Sequence, residues 1–320
     1  MTPPVLLITF NRPIHTRKTL EALLVQEPPV LYVFQDGPRK DNPSDVDNCQ
    51  KVRSVIEECI NGKRIQAKTY FSRINRGCRD AIIFSISEVL KRHEEVIVVE
   101  DDIITSPAFI SFMSQALEYY KDKKSVFSIS GHSHSPLRFQ IPDDYPYDVF
   151  ASPRLFNWGW GTWRDRWEKA DWSFSYYDEF MKHPFEQKAF IRGGEDLLPM
   201  LKEEHDGHSS AWDIQFAFAH FANHAVSIVP CFSYTKNIGE DGSGTHCIDN
   251  RRIVDDSTTD LCLNYSPKFL NNLYFDSRII NSQYSVFCRK KRPVWQKCIN
   301  YLMRKIGRRP PFKIKKKVFV

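Results

Sequence analysis

The first 130 residues alternate short apolar runs with helical patterns, and this alternation leaves few folds open to the chain. Apolar runs at 5–10, 31–34, 68–71, 96–99 and 127–130 are predicted strands, and apolar spacings of three and four at 82–90 and 109–120 predict helices. Strands and helices alternating in units of about 30 residues indicate βαβ crossovers and a mainly parallel sheet. Ligands of such sheets bind beyond the carboxyl ends of the strands. The residues that follow each strand are therefore the candidates for function.

Polar residues follow all five predicted strands. The five strand ends are expected to converge on one crevice, since parallel strands end at the same edge of a sheet. Acids stand at two of these ends. The strand-end residues are, in chain order, Asn11 and Arg12; Gln35, Asp36 and Gly37; Asn75, Arg76 and Gly77; Glu100, Asp101 and Asp102; and Gly131, His132 and His134.

The acidic triplet Glu100, Asp101 and Asp102 closes the apolar run at 96–99. Alternate residues of an extended chain point to opposite faces, so Glu100 and Asp102 can face one way and Asp101 the other. Carboxylates at a strand end suit a hard divalent cation that keeps positions for phosphate oxygens. The alternative interpretation is an acidic turn that solvates the strand end.

Asp36 follows a buried-looking strand and offers a carboxylate that could accept the imide N–H of a pyrimidine base. Such a contact fixes the orientation of a ligand in a crevice. The alternative is an ordinary Asp-Gly turn. Asn11 and Arg12 could hold a base or a phosphate in the same way, and Arg12 could instead be a surface charge.

The pattern changes from about residue 149. Five of the seven tryptophans lie within fifteen residues, between Trp158 and Trp172. Three of them, Trp158, Trp160 and Trp163, are interspersed with glycines and are open to two interpretations, a platform for sugar rings and the acceptor, or core residues. Further on, a polar segment at 176–210 has a weak helical pattern, Trp212 and Asp213 open a helical run, and 225–230 is a predicted strand. Residues 250–288 give only weak signals, and the histidines at 132, 134, 205 and 208 are interpreted as ordinary polar residues.

The order of these motifs resembles nucleotide-sugar glycosyltransferases of the GT-A fold. It is similar to family 2 enzymes of bacterial polysaccharide synthesis and to the N-acetylglucosaminyltransferase I family, in which a QD dipeptide and an EDD triplet stand in this order. The resemblance runs from residue 4 to about 248. The motifs that carry it are VLLITFNRP, VFQDG, INRG, VIVVEDDI with SPxFxxF after it, SISG, WGWGTW, AWD and DGSGTH.

The resemblance implies a role for individual residues. Asp36 would bind the uracil, Asp102 would ligate Mn²⁺ or Mg²⁺, and Glu100 and Asp101 would support the metal, the ribose or the donor sugar. Asn11, Arg12 and Asn75 are assigned with them to donor binding. Asp213 stands where the family has the aspartate of a WD dipeptide, the catalytic base. His246 matches a histidine that many GT-A enzymes place on the metal or diphosphate, and Glu240 and Asp241 are rival bases.

The chemistry of inverting sugar transfer fits these residue types. A bound divalent cation stabilises the departing nucleoside diphosphate as a Lewis acid. One base then suffices to take the proton from the acceptor hydroxyl as it attacks the anomeric carbon. A glycosidase would instead need two opposed carboxylates.

The charge of the chain is divided unevenly. The segment 289–320 holds thirteen Lys or Arg and no acid, whereas the preceding 288 residues carry a net charge of −7. An acidic body excludes a nucleic-acid-binding domain of the usual kind. Basic residues interleaved with Trp295, Ile299 and Leu302 favour a helix on an anionic membrane surface. A solubilising tail and a nucleic-acid contact are the alternatives.

The sequence therefore predicts an α/β protein with a GT-A (Rossmann-like), mixed and mainly parallel sheet flanked by helices. The GT-A domain would cover 1–288, with a nucleotide-binding half (1–130) and an acceptor-binding half (131–250), followed by a basic amphipathic tail (289–320). The expected activity is transfer from a UDP-linked sugar to a glycan or lipid-linked acceptor. The scattered cysteines and the short first apolar run favour a cytoplasmic enzyme, peripheral at the inner membrane face. A nucleotidyltransferase and a non-catalytic binding module are the alternatives.

Overall fold

The computed structural model describes residues 2–136, 138–239 and 260–288, and the single residues Ile299 and Met303. The strands are β1 Val5–Thr9, β2 Val30–Gln35, β3 Gln66–Phe71, β4 Glu95–Glu100, β5 Ile103–Thr105, β6 Val126–Ser130, β7 Val149–Ser152, β8 Trp160–Trp163, β9 Val226–Pro230 and β10 Thr235–Asn237. The α-helices are α1 Pro13–Leu24, α2 Pro43–Ile60, α3 Cys78–Leu90, α4 Phe109–Tyr120, α5 Arg164–Trp167, α6 Tyr177–Phe180, α7 Pro184–Phe190, α8 Leu197–His205, α9 Trp212–Ala222 and α10 Ser277–Phe287.

Eight of these strands form one sheet in the order β3-β2-β1-β4-β8-β6-β9-β7. The pairings make six of them parallel, and β8 and β7 run against the rest. The predicted α/β fold with a mixed, mainly parallel sheet is confirmed. All six predicted strands are present with ends shifted by no more than two residues. Strand β6 ends at the predicted boundary between the two halves of the domain, and it pairs with β8 on one side and β9 on the other within the same sheet.

The sheet is buried on both faces, which accounts for the continuous apolar runs of its strands. In β1, Val5 and Leu7 pack with α1, α2 and α4 on one side, whereas Leu6 and Ile8 pack with α3 and α9 on the other. Alternation along an extended strand produces this division. Helices therefore cover both sides, and the loops at the carboxyl edge of the sheet are left to form a crevice.

The tryptophan-rich segment forms β8 and is mostly core. The side chains of Trp160, Trp163 and Trp167 are buried. Trp158 is partly exposed, and the centroid of its ring lies 4.4 Å from that of His132. The core interpretation is therefore confirmed for the three buried tryptophans, whereas Trp158 and Trp172 keep part of their surface exposed.

A small second sheet brings a distant segment onto the acidic strand end. β5 and β10 pair antiparallel, with Ile103 opposite Asn237, and the backbone N–H of Ile238 donates to the carbonyl of Asp102 at 2.8 Å. A Cβ at Gly239 would lie 2.2 Å from Oδ2 of Asp102. A larger residue at 239 would therefore have to displace the Asp102 carboxylate, because the backbone there closes directly on it.

No helix in the described part of the chain combines the length and apolar character that crossing a bilayer needs. The predicted basic tail lies outside the described residues, apart from Ile299 and Met303.

Candidate functional site

The acidic triplet forms the turn between β4 and β5, and an arginine from the end of β1 spans it. Arg12 stands immediately before α1, and its Nη2 donates to Asp101 and, at 3.0 Å, to Oδ2 of Asp102. The backbone N–H of Phe10 also donates to Asp101. The predicted convergence of the first and fourth strand ends is therefore present, but Arg12 faces carboxylates in this arrangement.

The acidic turn has three carboxylates, and the neighbouring cation is the guanidinium of Arg12. Burial raises the pKa of Glu100, and repulsion from Asp102 and Asp101 raises it further. Burial likewise raises the pKa of Asp101, although Arg12 opposes the shift. Three neighbouring carboxylates share one guanidinium, so this strand end favours added positive charge.

Asp213 lies in the first turn of α9, within electrostatic range of Glu100 in the acidic turn. Trp212 stacks on Trp160 with ring centroids 5.1 Å apart, and Trp160 pairs with Val98, two residues before Glu100. The stacked rings therefore hold the start of α9 beside the end of β4. Electrostatic repulsion between Asp213 and Glu100 contributes to the raised pKa of Glu100, as expected for two acids on one crevice.

A buried glutamate fixes the start of α9. Oε2 of Glu204, in α8, accepts the backbone N–H of Ala211 at 2.6 Å, and Oε1 lies 3.3 Å from Nε of Arg79. Glu204 thereby satisfies a helix-terminal N–H that has no partner within α9. Sequence reasoning missed Glu204 because it lies in the weakly patterned segment at 176–210.

Arg154 is a second positioning residue that the sequence did not indicate. Its guanidinium forms a bidentate ion pair with buried Asp196, with both N–O distances 2.8 Å, and lies 3.6 Å from the ring centroid of Phe287. Burial raises the pKa of Asp213, and the charge of Arg154 lowers it. No motif surrounds Arg154, and its proximity to Asp213 exists only in the folded chain.

Asp36 organises the loop that follows β3. Its carboxylate accepts the backbone N–H groups of Gly37, Arg76 and Gly77 at 2.9–3.1 Å, and Nδ2 of Asn75 at 3.0 Å. The predicted neighbours Asp36 and Asn75 are thus brought together, and both carboxylate oxygens are used within the protein. Contact of Asp36 with a base stays a prediction.

Asn11 contributes to a similar network at the end of β2. Its Nδ2 donates to Oδ1 of buried Asp45 at 2.7 Å, and Arg39 donates to both oxygens of the same carboxylate at 2.6–2.9 Å. The Asp45 carboxylate therefore ties the loop after β2 to the loop after β1. Sequence reasoning assigned Asn11 to the donor and did not include Asp45.

Other candidates lie apart from this cluster or outside the described residues. His246, Glu240 and Asp241 are not among the residues that the structure describes. His205 is exposed and stacks on Tyr177. Cys78, exposed at the start of α3, lies within electrostatic range of Glu100 and Asp213 and was not singled out from the sequence.

The donor set of the acidic turn fits a hard cation. Among the described residues, no group of three or more His, Cys, Asp or Glu side chains is placed so that it could hold a metal ion. Mg²⁺ characteristically binds through one or two carboxylates together with substrate phosphates, so a full cage is not required. Asp102 and Glu100 provide such oxygens, beside an excess of negative charge.

A comparison with solved structures found matches of low identity and low TM-score. UDP-glucose pyrophosphorylase complexed with UDP-glucose is 12% identical, with 74% of this chain and 92% of that chain covered and a TM-score of 0.37. Glycosyltransferase GlyE from Streptococcus pneumoniae TIGR4 is 12% identical, with 70% and 45% covered and a TM-score of 0.31. Similarities at this level carry no inference about activity. A search of curated proteins gave no match.

A family match carries more weight. The GNT-I family model matches residues 1–195, which is more than half of the chain and includes the strand ends that hold Asp36 and the acidic turn. The resemblance seen in the order of the sequence motifs is thereby confirmed. The chain belongs to the GNT-I family and is a glycosyltransferase.

Proposed function

We propose that the protein is a metal-dependent, inverting glycosyltransferase that moves a sugar from a UDP-linked donor to a hydroxyl of a glycan or lipid-linked acceptor. The observation that supports the proposal is that the charge of Asp213, at the start of α9, acts on Glu100 of the acidic turn, and that Trp212 and Glu204 fix this helix start. One carboxylate on the acceptor side and several on the donor side are the arrangement that a single displacement needs.

The donor would lie across the ends of β1, β2 and β4. Asp36 and Asn75 order the loop beside which the base would bind. The diphosphate would lie near the acidic turn, where α1 and α3 begin and their N-terminal dipoles favour negative charge. Arg12 would replace part of its contact with Asp102 by a contact with a phosphate oxygen. Donor binding can favour this exchange because the carboxylate and the phosphate are both anions.

The metal would be Mn²⁺ or Mg²⁺, held by Asp102 with support from Glu100. When bound, it would stabilise the charge that develops on the leaving diphosphate. Asp213 would accept the proton of the acceptor hydroxyl as that oxygen attacks the anomeric carbon. Attack from the side opposite to the leaving group inverts the configuration of the sugar.

The direct test is release of UDP from a panel of UDP-sugars in the presence of Mn²⁺. We expect slow, donor-selective hydrolysis without acceptor, measured as free UDP, and a rise in melting temperature with the same donor. Pyrophosphate release from UTP and a sugar 1-phosphate, with no UDP from any UDP-sugar, would instead identify a nucleotidyltransferase.

The basic segment 289–320 is proposed to bring this cytoplasmic enzyme to an anionic membrane. Attraction of about 1 kcal/mol per basic residue near such a surface is screened by salt, so the interleaved apolar side chains must add to it. A chain ending at Cys288 should stay folded and bind donor, yet no longer sediment with phosphatidylserine vesicles at low salt. Full-length protein that ignores these vesicles would contradict the proposal, as would unfolding of the shortened chain.

A further inference from the structure

A groove of about 620 Å³ opens beside the end of β9. Its walls are the loop at 139–143, the first turns of α10, and Phe232, which follows β9 by two residues. Because β9 runs parallel to β6 and β4, it ends at the same edge of the sheet as the acidic turn. The groove therefore lies on the functional edge, on the side of the sheet remote from β2 and the Asp36 loop.

The lining combines apolar faces with hydrogen-bonding groups. Phe232 leaves 57% of its surface exposed, although it is a large aromatic residue, and Phe139 and Ile141 add apolar surface. Gln140 and Ser282 stand beside them. A sugar ring has the matching character, with an apolar C–H face that can cover an aromatic ring and hydroxyls that pair with amide and hydroxyl groups.

The charge of the groove favours a neutral occupant. Arg278 lines the groove but pairs with Asp144 at 2.7 Å and with Asp276 at 2.8 Å. Asp143 is the other charged residue among the described lining residues. The groove therefore lacks the excess positive charge that a phosphate or an acidic peptide would require.

Helix α10 connects the groove to the residues around Asp213. Oγ of Ser282 accepts the backbone N–H of Gln140 at 2.9 Å at the groove, whereas Phe287 packs on the guanidinium of Arg154. These two residues are five positions apart, which corresponds to about 7.5 Å along a helix axis. Helix α10 thus runs from the groove to Arg154, whose charge acts on Asp213.

We infer that this groove is an acceptor subsite that binds a neutral oligosaccharide, with one sugar ring stacked on Phe232 and the chain directed along α10 toward Asp213. The inference rests on the proposed function, since it supplies that reaction with its acceptor. It adds a ligand class, a location and a residue that determines acceptor binding.

The test measures binding, so that it does not depend on turnover. Maltopentaose, mannopentaose and chitopentaose are each titrated into the full-length protein and followed by saturation-transfer NMR. We expect at least one to bind, and Phe232→Ala to weaken that binding about tenfold, a loss of about 1.4 kcal/mol. Phe232→Tyr should restore it because the aromatic face returns. Phe185→Ala is the matched control, since Phe185 is 89% exposed and does not line the groove.

The remaining outcomes separate this inference from the proposed function. Pentasaccharide binding that is equal in Phe232→Ala and wild type overturns the subsite, whatever the result of the UDP-release assay. Binding by a chain ending at Cys288 but not by the full-length protein also overturns it, because the groove would then hold a segment of the chain itself. Lost binding counts in its favour only if Phe232→Ala melts at the wild-type temperature.

Discussion

Replacing Asp213 by asparagine is expected to lower the rate of UDP release by about 10²–10⁴-fold and to leave donor binding within about twofold of wild type. The amide is nearly isosteric and keeps an oxygen for the Ile214 N–H that Oδ1 now accepts at 2.9 Å. It cannot serve as the carboxylate base that accepts the proton. The measurements are UDP release at saturating donor and calorimetric binding of the same UDP-sugar with Mn²⁺.

Two variants serve as controls for this assignment. Glu240→Gln and Asp241→Asn remove the rival bases that the sequence offers. Each is expected to retain turnover. If one of them binds donor without releasing UDP while Asp213→Asn stays active, Asp213 is not the base.

The rate should also depend on pH through Asp213. A base is active in its charged form, so activity is present above its pKa and is lost as the pH falls below it. Burial raises the pKa of Asp213 above the ordinary aspartate range, against the opposing charge of Arg154. The acid limb of the wild-type rate should therefore lie at a higher pH than an unperturbed aspartate would give, and the residual activity of Asp213→Asn should lack it.

Replacing Asp102 by asparagine is expected to abolish UDP release and to weaken Mn²⁺-dependent donor binding by at least about 100-fold. The physical reason is that the amide loses the charge that attracts the cation, at a carboxylate that Arg12 contacts and against which the backbone at Gly239 packs. Donor binding is measured by calorimetry with Mn²⁺ and with excess chelator. In chelator, wild type and variant should become alike.

Glu118→Gln provides the matched control. It removes the same charge from the exposed surface of α4, where Glu118 pairs with Lys121. Its Mn²⁺ dependence should equal that of wild type. Full wild-type turnover in excess chelator would contradict the proposed metal dependence.

Much of the fold could be predicted because the residue pattern that defines each of its longer strands and helices lies within a short stretch of sequence. The apolar runs of β1, β2 and β4 are continuous, as burial on both faces of a parallel sheet requires, and the polar residues after them mark the carboxyl edge. The short strands β5, β7 and β10 escaped because three or four residues carry too little periodicity. β8 escaped because its tryptophans and glycine have no strand pattern, and their burial depends on partners such as Trp212.

The candidate site, too, could be predicted from the sequence only in part. Asp36 and the acidic triplet could be singled out from the sequence, because a crevice at a sheet edge draws its functional groups from the residues just after each strand. Asp213 is assigned by its resemblance to the family's WD dipeptide, and the roles of all these residues stay predictions. The contacts among them depended on the tertiary structure. Arg12 and Asp101 are 89 residues apart in the chain, Arg154 acts on Asp213 from a different element, and Glu204 bonds the start of α9 across seven residues. Such pairings leave no sequence pattern, since any acid and base of suitable reach can make them once packing has brought two loops together.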